Sequence, residues 1–425
     1  MAGTQELYSR FLETGKICTD SRNVEPGSIF FALKGENFDG NRFAIDALGK
    51  GASLAVTDDP ALRDQPGLFR VENVLSSLQE LARHHRSTLK IPVIGLTGSN
   101  GKTTTKELLR EVLKTKYRVH ATPGNLNNHI GVPVSLLGIT NKSEIAVIEM
   151  GANHIGEIAD LCAIARPTHG LITNIGKAHL EGFGDYEGVI RAKSELYDFF
   201  RLNGGDVLVN ADDALLMRLS EGLTRFTYGS NPEAETRGSI QTSVPFLDIR
   251  YNGNDIKTSL YGDYNFSNIM AGICAGAYFG VNIAAMKEAI SSYKPNNNRS
   301  QVLIKGSNTI FLDAYNANPT SMQAAVEQFM KQEADNRVMI LGDMLELGDF
   351  SLEEHNHIIS ALQAYDAQVI LIGPEFMKAA KGKPNTCFTN IDEASAWFAK
   401  NPLHDAHILV KGSRGIALEK LIDFL

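Results

Sequence analysis

The stretch "IPVIGLTGSNGKTTTKELL", residues 91–109, constrains the fold more than any other part of the chain. A run of apolar β-formers enters a glycine-rich loop, and beyond it Leu108, Leu109, Val112 and Leu113 recur at helical spacing. Strand, glycine turn and helix in that order begin a parallel α/β sheet, with the loop at the sheet's carboxyl edge. There the backbone N–H groups of Gly98, Ser99, Asn100 and Gly101 and the helix dipole all favour an anion. Lys102 adds a mobile positive charge for phosphates, and Thr103 and Thr104 supply hydroxyls, one of them placed for Mg2+. The common phosphate loop puts four residues between its glycines. Here two separate Gly98 from Gly101. A glycine turn with a solvent-facing lysine is the plainer alternative, and the strand and helix on either side favour the nucleotide site.

At 425 residues the chain exceeds what one hydrophobic core supports. Residues 1–87 hold two short apolar runs, "GSIFFAL" and "ASLAVTD", and the polar helix "SSLQELARHHRS", which reads as a small α/β domain. Residues 88–301 repeat strand, loop and helix; "EIAVIEMG" and "HGLITNIG" are continuous apolar runs, as central parallel strands require. Within them, 225–262 alternate around an Asn-Gly turn and read as a β-hairpin insertion. Residues 302–425 contain four further strand candidates, "NTIFLDAYN", "NRVMILGD", "AQVILIG" and "AHILVKGS", separated by helical segments. The expected fold class is α/β in three domains. A small amino-terminal domain precedes a central, phosphate-loop, doubly wound and mostly parallel sheet with the hairpin insertion, and a Rossmann-like carboxyl-terminal domain follows.

A formal charge of -8 gives no general attraction to nucleic acid or to an anionic membrane. Cys18, Cys162, Cys274 and Cys387 are widely spaced with no C-x-x-C pair, which argues against a disulfide framework and a structural zinc site. The start, "MAGTQELYSRFLETG", lacks a secretory pattern. The most apolar stretch, "IMAGICAGAYFGV" (269–281), is too short to span a bilayer and its small residues suit a tightly packed helix. A cytoplasmic, multidomain protein without membrane insertion is expected.

Phosphate chemistry calls for metal ligands near the loop. Glu149 ends the apolar run "IAVIE" and therefore lies at the carboxyl edge of the sheet, and His179 follows "LITNIG" closely enough to reach the same edge. In "VIRAKSELYDFF", Val189, Leu196 and Phe200 form one helical stripe that also contains Lys193. A lysine facing inward must be paired, neutralised or modified, unless its stem carries the ammonium out to solvent.

Together these features resemble the Mur ligase family of ATP-dependent amide-forming enzymes. The short loop "TGSNGKTTT" is similar to that family's form, and the resemblance runs over essentially the whole chain. It is carried by "CTDSRNVEPGSIFFALKGENFDG" (18–40), "GNLNNHIGVPVSLL" (124–137), "EMGANHIGEI" (149–158), "NIGKAHLEGFG" (174–184) and "AKSELYD" (192–198). It continues through "GDYNFSNIMAG" (262–272), "DAYNANPTSM" (313–322), "GDMLELG" (342–348) and "KGSRG" (411–415). The resemblance implies ATP and two Mg2+, with Thr103, Glu149 and His179 as metal ligands and Lys102 on the phosphates. Lys193 matches a family lysine that takes up CO2 as a carbamate, giving Mg2+ an oxygen ligand. Asn268, Arg299 and Asp313 match contacts to adenine, γ-phosphate and ribose, with Tyr315 beside the nucleotide. Asn125 and Asn128 match substrate-side positions, Asp20, Ser21 and Arg22 the uridine diphosphate end, and Ser413 and Arg414 the peptide or dipeptide.

Within the family, "DAYNANPTSM" with "GDMLELG" is similar to the member that joins D-alanyl-D-alanine to UDP-N-acetylmuramoyl-tripeptide through an acyl phosphate. A monomer is the family expectation. The alternatives are a third-step ligase of the same family, whose Asp-Asn-Pro-Arg type of motif is absent from the sequence, and a folylpolyglutamate-synthase-like ligase. A phosphate-loop NTPase acting on nucleic acid and a binding-only relative lie further off.

Overall fold

The structure is a computed structural model that describes residues 2–295, 298–382 and 386–425. Three large sheets, each built on apolar runs, organise it, besides a two-stranded pair, Lys34–Gly35 with Phe38–Asp39. In the amino-terminal sheet the strands Ile17–Cys18, Ile29–Phe31, Leu54–Thr57 and Leu68–Arg70 lie side by side and parallel. The first and last were not visible as strands in the sequence, being two and three residues long. Helix Val74–Thr88 leads out of this domain and is bound to the next: Arg86 donates to the carbonyls of Ala165 and Arg166 at 2.8 and 2.9 Å.

The central sheet has nine strands. Val93–Thr97 lies between Ile145–Glu149 and His169–Ile172, parallel to both, and the edge strand Val119–Ala121 lies beyond Ile145–Glu149. The chain thus passes to one side of Val93–Thr97 before crossing to the other. That reversal opens a crevice at the carboxyl ends of the strands, where open α/β sheets take their ligands. All residues of Val93–Thr97 and Ile145–Glu149 are buried, which is why both read as unbroken apolar runs. On the other flank, Asp206–Asn210, Thr224–Gly229 and Thr236–Thr242 continue the parallel pairing.

Asp248–Tyr251 and Asn254–Ile256 then form the hairpin expected around Asn252-Gly253. They do not stand apart as an insertion. Asp248–Tyr251 pairs antiparallel with Thr236–Thr242, so the hairpin extends the sheet itself. The stretch expected as a packed helix, 269–281, is helical as far as Tyr278, within the helix Asn265–Tyr278 laid against Lys102–Leu113. Close approach depends on its glycines: a Cβ at Gly276 would come within 2.6 Å of Val112. Among the described residues no helix is long and apolar enough to cross a membrane.

The carboxyl-terminal sheet runs Gln301–Lys305, Asn308–Asp313, His407–Lys411, Arg337–Gly342, Gln368–Ile372, Thr386–Phe388. All pairs are parallel except the first, an antiparallel edge strand that the sequence pattern did not reveal. Carboxyl ends of this sheet face the central crevice, and both sheets deliver polar loops to one cavity of about 760 Å³.

Candidate active site

Loop geometry comes first. Gly98 (φ 142°) and Gly101 (φ 78°) hold backbone conformations that side chains resist, and neither has room for one. A Cβ at Gly98 would lie 2.0 Å from the Thr173 hydroxyl, and one at Gly101 2.5 Å from Asn268 Oδ1. The shortened loop is thus packed on both flanks. Between the glycines, the Ser99 hydroxyl donates to Gly176 O and accepts from Gly176 N, both at 3.0 Å. Asn100 N donates to Asn174 Oδ1 at 3.0 Å, while Asn100 O accepts from Thr173 at 2.6 Å and Asn174 at 3.0 Å. The carboxyl-terminal domain reaches the same loop: Asn318 Nδ2 donates to Asn100 Oδ1 at 2.7 Å.

Lys102 opens the helix Lys102–Leu113, and its ammonium folds back onto Gly98 O at 2.7 Å and Ser99 O at 3.2 Å. Burial holds it below the ordinary lysine pKa; Arg299 pushes the same way, and Glu149 and Glu346 oppose both. Thr103 donates to Glu149 Oε1 at 3.2 Å, and Asn127 donates to the same oxygen at 2.9 Å. Glu149 is 1% exposed, and its other oxygen, Oε2, has no hydrogen-bond partner. Its closest cation is Lys106, at 3.7 Å. A buried carboxylate oxygen without a donor is what a hard cation satisfies, so the donors fit Mg2+. Among the described residues no three His, Cys, Asp or Glu side chains converge on one point. Such a site must therefore draw on Thr103, phosphate oxygens and water besides Glu149, which is how Mg2+ is ordinarily held in nucleotide enzymes.

His179 lines the cavity beside the helix start at Leu180, and its Nδ1 lies 2.5 Å from Glu346 Oε2 of the carboxyl-terminal domain. Lys193 is fully buried and does not reach solvent. Its Nζ lies 3.3 Å from Ala152 O and 5.1 Å from the centroid of the Phe183 ring. Burial brings its pKa down to about 7; the Lys102 charge adds to this, and Glu157 and Glu195 oppose it.

From across the crevice, Arg299 lays its guanidinium over the Tyr315 ring at 3.4 Å, with Arg414 at 5.4 Å from the same ring. Asp313 Oδ2 accepts from Lys411 Nζ at 2.7 Å, which orients the carboxylate. Asn268 accepts from Thr105 at 3.0 Å and donates to Asn265 at 2.8 Å, so its amide is locked against the loop.

The cavity gathers Ser99, Asn100, Gly101, Lys102, Thr103 and Thr104. It also takes in Asn128, Glu149, His179, Asn268, Arg299, Asp313 and Tyr315. It does not take in Asp20, Ser21 and Arg22, which form a local turn: Arg22 donates to both Asp20 oxygens and holds that carboxyl down at about 2. Asn125 is exposed outside the cavity wall, and Asn128 accepts from Gly131 N at 2.8 Å, just before the helix Gly131–Leu137. Ser413, expected to face substrate, is 2% exposed; it donates to Ala317 O and accepts from Leu345 N, so it ties loops together.

Asn127, Lys106, Glu346, Asn318 and Arg83 were missed as site residues. Asn127, Glu346 and Asn318 sit inside motifs already marked. Lys106 is hidden in a polar-looking helix start, and Arg83 in a surface-like helix that proves to line the cavity.

Fold and site together define a three-domain phosphate-loop ligase. The chain belongs to the Mur ligase family: the family's catalytic domain matches residues 14–92, its middle domain 96–276 and its glutamate ligase domain 298–414. It is 34% identical over 421 residues to the UDP-N-acetylmuramoyl-tripeptide–D-alanyl-D-alanine ligase of Bacillus subtilis, covering 96% of this chain and 92% of that one. Among solved structures, MurF from Acinetobacter baumannii superposes with a TM-score of 0.87 at 30% identity, covering 96% of this chain and 92% of that one. MurF ligase from Thermotoga maritima in complex with ADP gives 0.86 at 29% identity, covering 97% of each chain.

Proposed function

We propose that this chain joins D-alanyl-D-alanine to UDP-N-acetylmuramoyl-tripeptide at the expense of ATP, as a cytoplasmic enzyme of peptidoglycan precursor synthesis. The observation that carries the reading is a single cavity bounded by all three domains. Gln79 and Arg83 come from the amino-terminal side, the phosphate loop and Glu149 from the centre, and Asp313 and Tyr315 from the carboxyl-terminal side. Such a cavity suits one long nucleotide-linked acceptor and a second nucleotide meeting at their phosphates. We take 1–87, 88–301 and 302–425 as the working domains.

In this reading the loop N–H groups and Lys102 hold the ATP phosphates, and Arg299, at the junction with the carboxyl-terminal domain, approaches the γ-phosphate. Asp313, held by Lys411, takes the ribose, and Tyr315 lies beside the nucleotide. Asn268 holds the loop at the adenine side. Thr103, Glu149 and His179 hold Mg2+, which when bound neutralises phosphate charge during transfer. The tripeptide's terminal carboxylate attacks the γ-phosphorus, the bond to the β-phosphate oxygen breaks, and an acyl phosphate and ADP result. The amine of D-alanyl-D-alanine then attacks the acyl carbon, loses a proton and expels phosphate. Lys102 and Arg299 offset the repulsion between the carboxylate and the polyanion. The crevice, closed over by the carboxyl-terminal domain, keeps water from the acyl phosphate.

Lys193 belongs to the proposal as a carbamate. Reaction with CO2 needs a neutral amine, and a pKa of about 7 supplies one at physiological pH. The amine nitrogen bonds to the carbon of CO2 and releases a proton, which turns a buried cation into a pair of hard oxygen donors. Carbon-13 NMR under labelled CO2 checks this: a carbamate resonance present in wild type and absent from Lys193→Met is expected, and identical spectra refute it.

Phosphate release from ATP and Mg2+ tests the whole. It is expected only when UDP-muramoyl-tripeptide and D-alanyl-D-alanine are both present, with Lys- and diaminopimelate-containing tripeptides run in parallel. Turnover with folates and glutamate instead would move the chain to a different substrate class.

A further inference from the structure

Two non-glycine residues with left-handed backbones meet across the junction of the central and carboxyl-terminal domains: His179 at φ 54° and Glu346 at φ 63°. Each conformation is strained for a residue with a side chain, and such strain persists where the surroundings enforce it. The enforcement is mutual. His179 Nδ1 lies 2.5 Å from Glu346 Oε2, and Glu181 N donates to Glu346 O at 3.1 Å. Gly348 (φ 53°) rests against Glu181, where an added Cβ would lie 3.2 Å from the Glu181 Cβ.

The loop presenting Glu346 is fixed from behind. His355 is fully buried; its Nδ1 donates to Ser351 O at 2.7 Å, and its Nε2 accepts from Met344 N at 3.1 Å. Next in the chain, Leu345 N donates to the Ser413 hydroxyl at 2.9 Å. Two successive amides are thus pinned to groups of the carboxyl-terminal domain, and the residue after them is Glu346.

The contact is a close ion pair outside hydrogen-bond alignment, and a carboxylate set beside Nδ1 favours the ring proton on that nitrogen and leaves the lone pair on Nε2, the nitrogen then free to act as a ligand. We propose that Glu346 is a positioning residue that fixes the tautomer and orientation of His179, so that this metal ligand is completed only when the carboxyl-terminal domain is docked. The inference rests on the reading of His179 as a Mg2+ ligand. It explains why the strained pair lies between domains: a ligand finished by docking links metal capture to closure over the reactants. It also gives the buried Ser413 a part in the site without contact to substrate.

The test uses the full chain with a non-hydrolysable ATP analogue and Mn2+ in place of Mg2+, free Mn2+ being read by electron paramagnetic resonance. Glu346→Ala is expected to weaken Mn2+ binding about 10- to 100-fold, the usual effect of losing an outer partner of a metal-bound histidine. Glu346→Gln keeps an acceptor for Nδ1–H and is expected to stay much closer to wild type. Glu354→Gln is the control. It alters the Lys177–Glu354 contact (2.6 Å) across the same junction without touching His179, and is expected to leave Mn2+ affinity nearly unchanged. Unchanged affinity in Glu346→Ala overturns the proposal, as does an equal loss in Glu354→Gln, which would mean general docking and not orientation. If His179→Ala itself binds Mn2+ as tightly as wild type, the metal reading of His179 falls, a result distinct from failure of the Glu346 link.

Discussion

Lys106 and Lys193 are both fully buried in the central domain, and their surroundings could hardly differ more. Lys106 donates to Thr122 O and Gly124 O, each at 2.8 Å, and has Glu107 at 3.3 Å and Glu149 at 3.7 Å. Its charge is answered on every side, and it ties the phosphate-loop helix to the 122–128 segment and to the buried carboxylate. Lys193 has one carbonyl at 3.3 Å and a phenyl ring. A cation built into a network stabilises the fold, whereas a cation left almost alone is poised to become something else. In the proposed reading the first is scaffold for the site and the second, as a carbamate, takes part in its chemistry.

Substitution by methionine, which is close in volume, should separate the two roles most widely in turnover and then in stability. Lys193→Met is expected to reduce the full ligase reaction by about 10³-fold, the scale of losing a group that answers transition-state charge. Its unfolding free energy should be unchanged or higher. A variant with near wild-type turnover would return Lys193 to the hydrophobic core. Lys106→Met leaves Glu149 buried with less compensation and is expected to cost about 3 kcal/mol in denaturant unfolding. An unchanged midpoint would show that the network carries no net stability.

The contrast also has a pH signature. With a folded pKa of about 7 and an ordinary value of 10.5, Lys193 binds fewer protons folded than unfolded between those limits. Stability therefore rises with pH in that window, by up to about 1.4 kcal/mol per unit, and the contribution flattens below pH 7 where both states are protonated. Titrated unfolding in CO2-depleted buffer should show this slope in wild type and lose it in Lys193→Met; the same slope in both would contradict the assignment. Smallest of all, Asn318→Ala removes the 2.7 Å bond to Asn100 and should cost about 1 kcal/mol, read as weaker binding of an ATP analogue. Equal affinity would place that contact outside the working state.

The same two lysines show where sequence reading succeeds and where it stops. Lys193 was legible because it interrupts an apolar helical stripe, a periodic signal that needs no partner. Lys106 was not, because "KTTTKE" looks like a solvated helix start, and its burial follows from tertiary packing of Asn265–Tyr278 on one side and the 122–128 segment on the other. Long apolar strands such as Val93–Thr97 were legible for the first reason. Short edges such as Gln301–Lys305 and Thr386–Phe388 were not, being defined by pairing with distant residues. Glu149 and His179 were legible from their places at strand ends. Glu346 and Asn318, which meet His179 and Asn100 from another domain, lie 167 and 218 residues along the chain from them, beyond the reach of any local pattern.

The central claim is that the tripeptide's own carboxylate, and not water, takes the γ-phosphoryl group. UDP-muramoyl-tripeptide labelled with oxygen-18 in its terminal carboxylate, turned over with ATP and D-alanyl-D-alanine, decides it. Inorganic phosphate carrying one labelled oxygen per amide bond formed is the result the account predicts. Unlabelled phosphate, with both labelled oxygens still on the tripeptide, would contradict it.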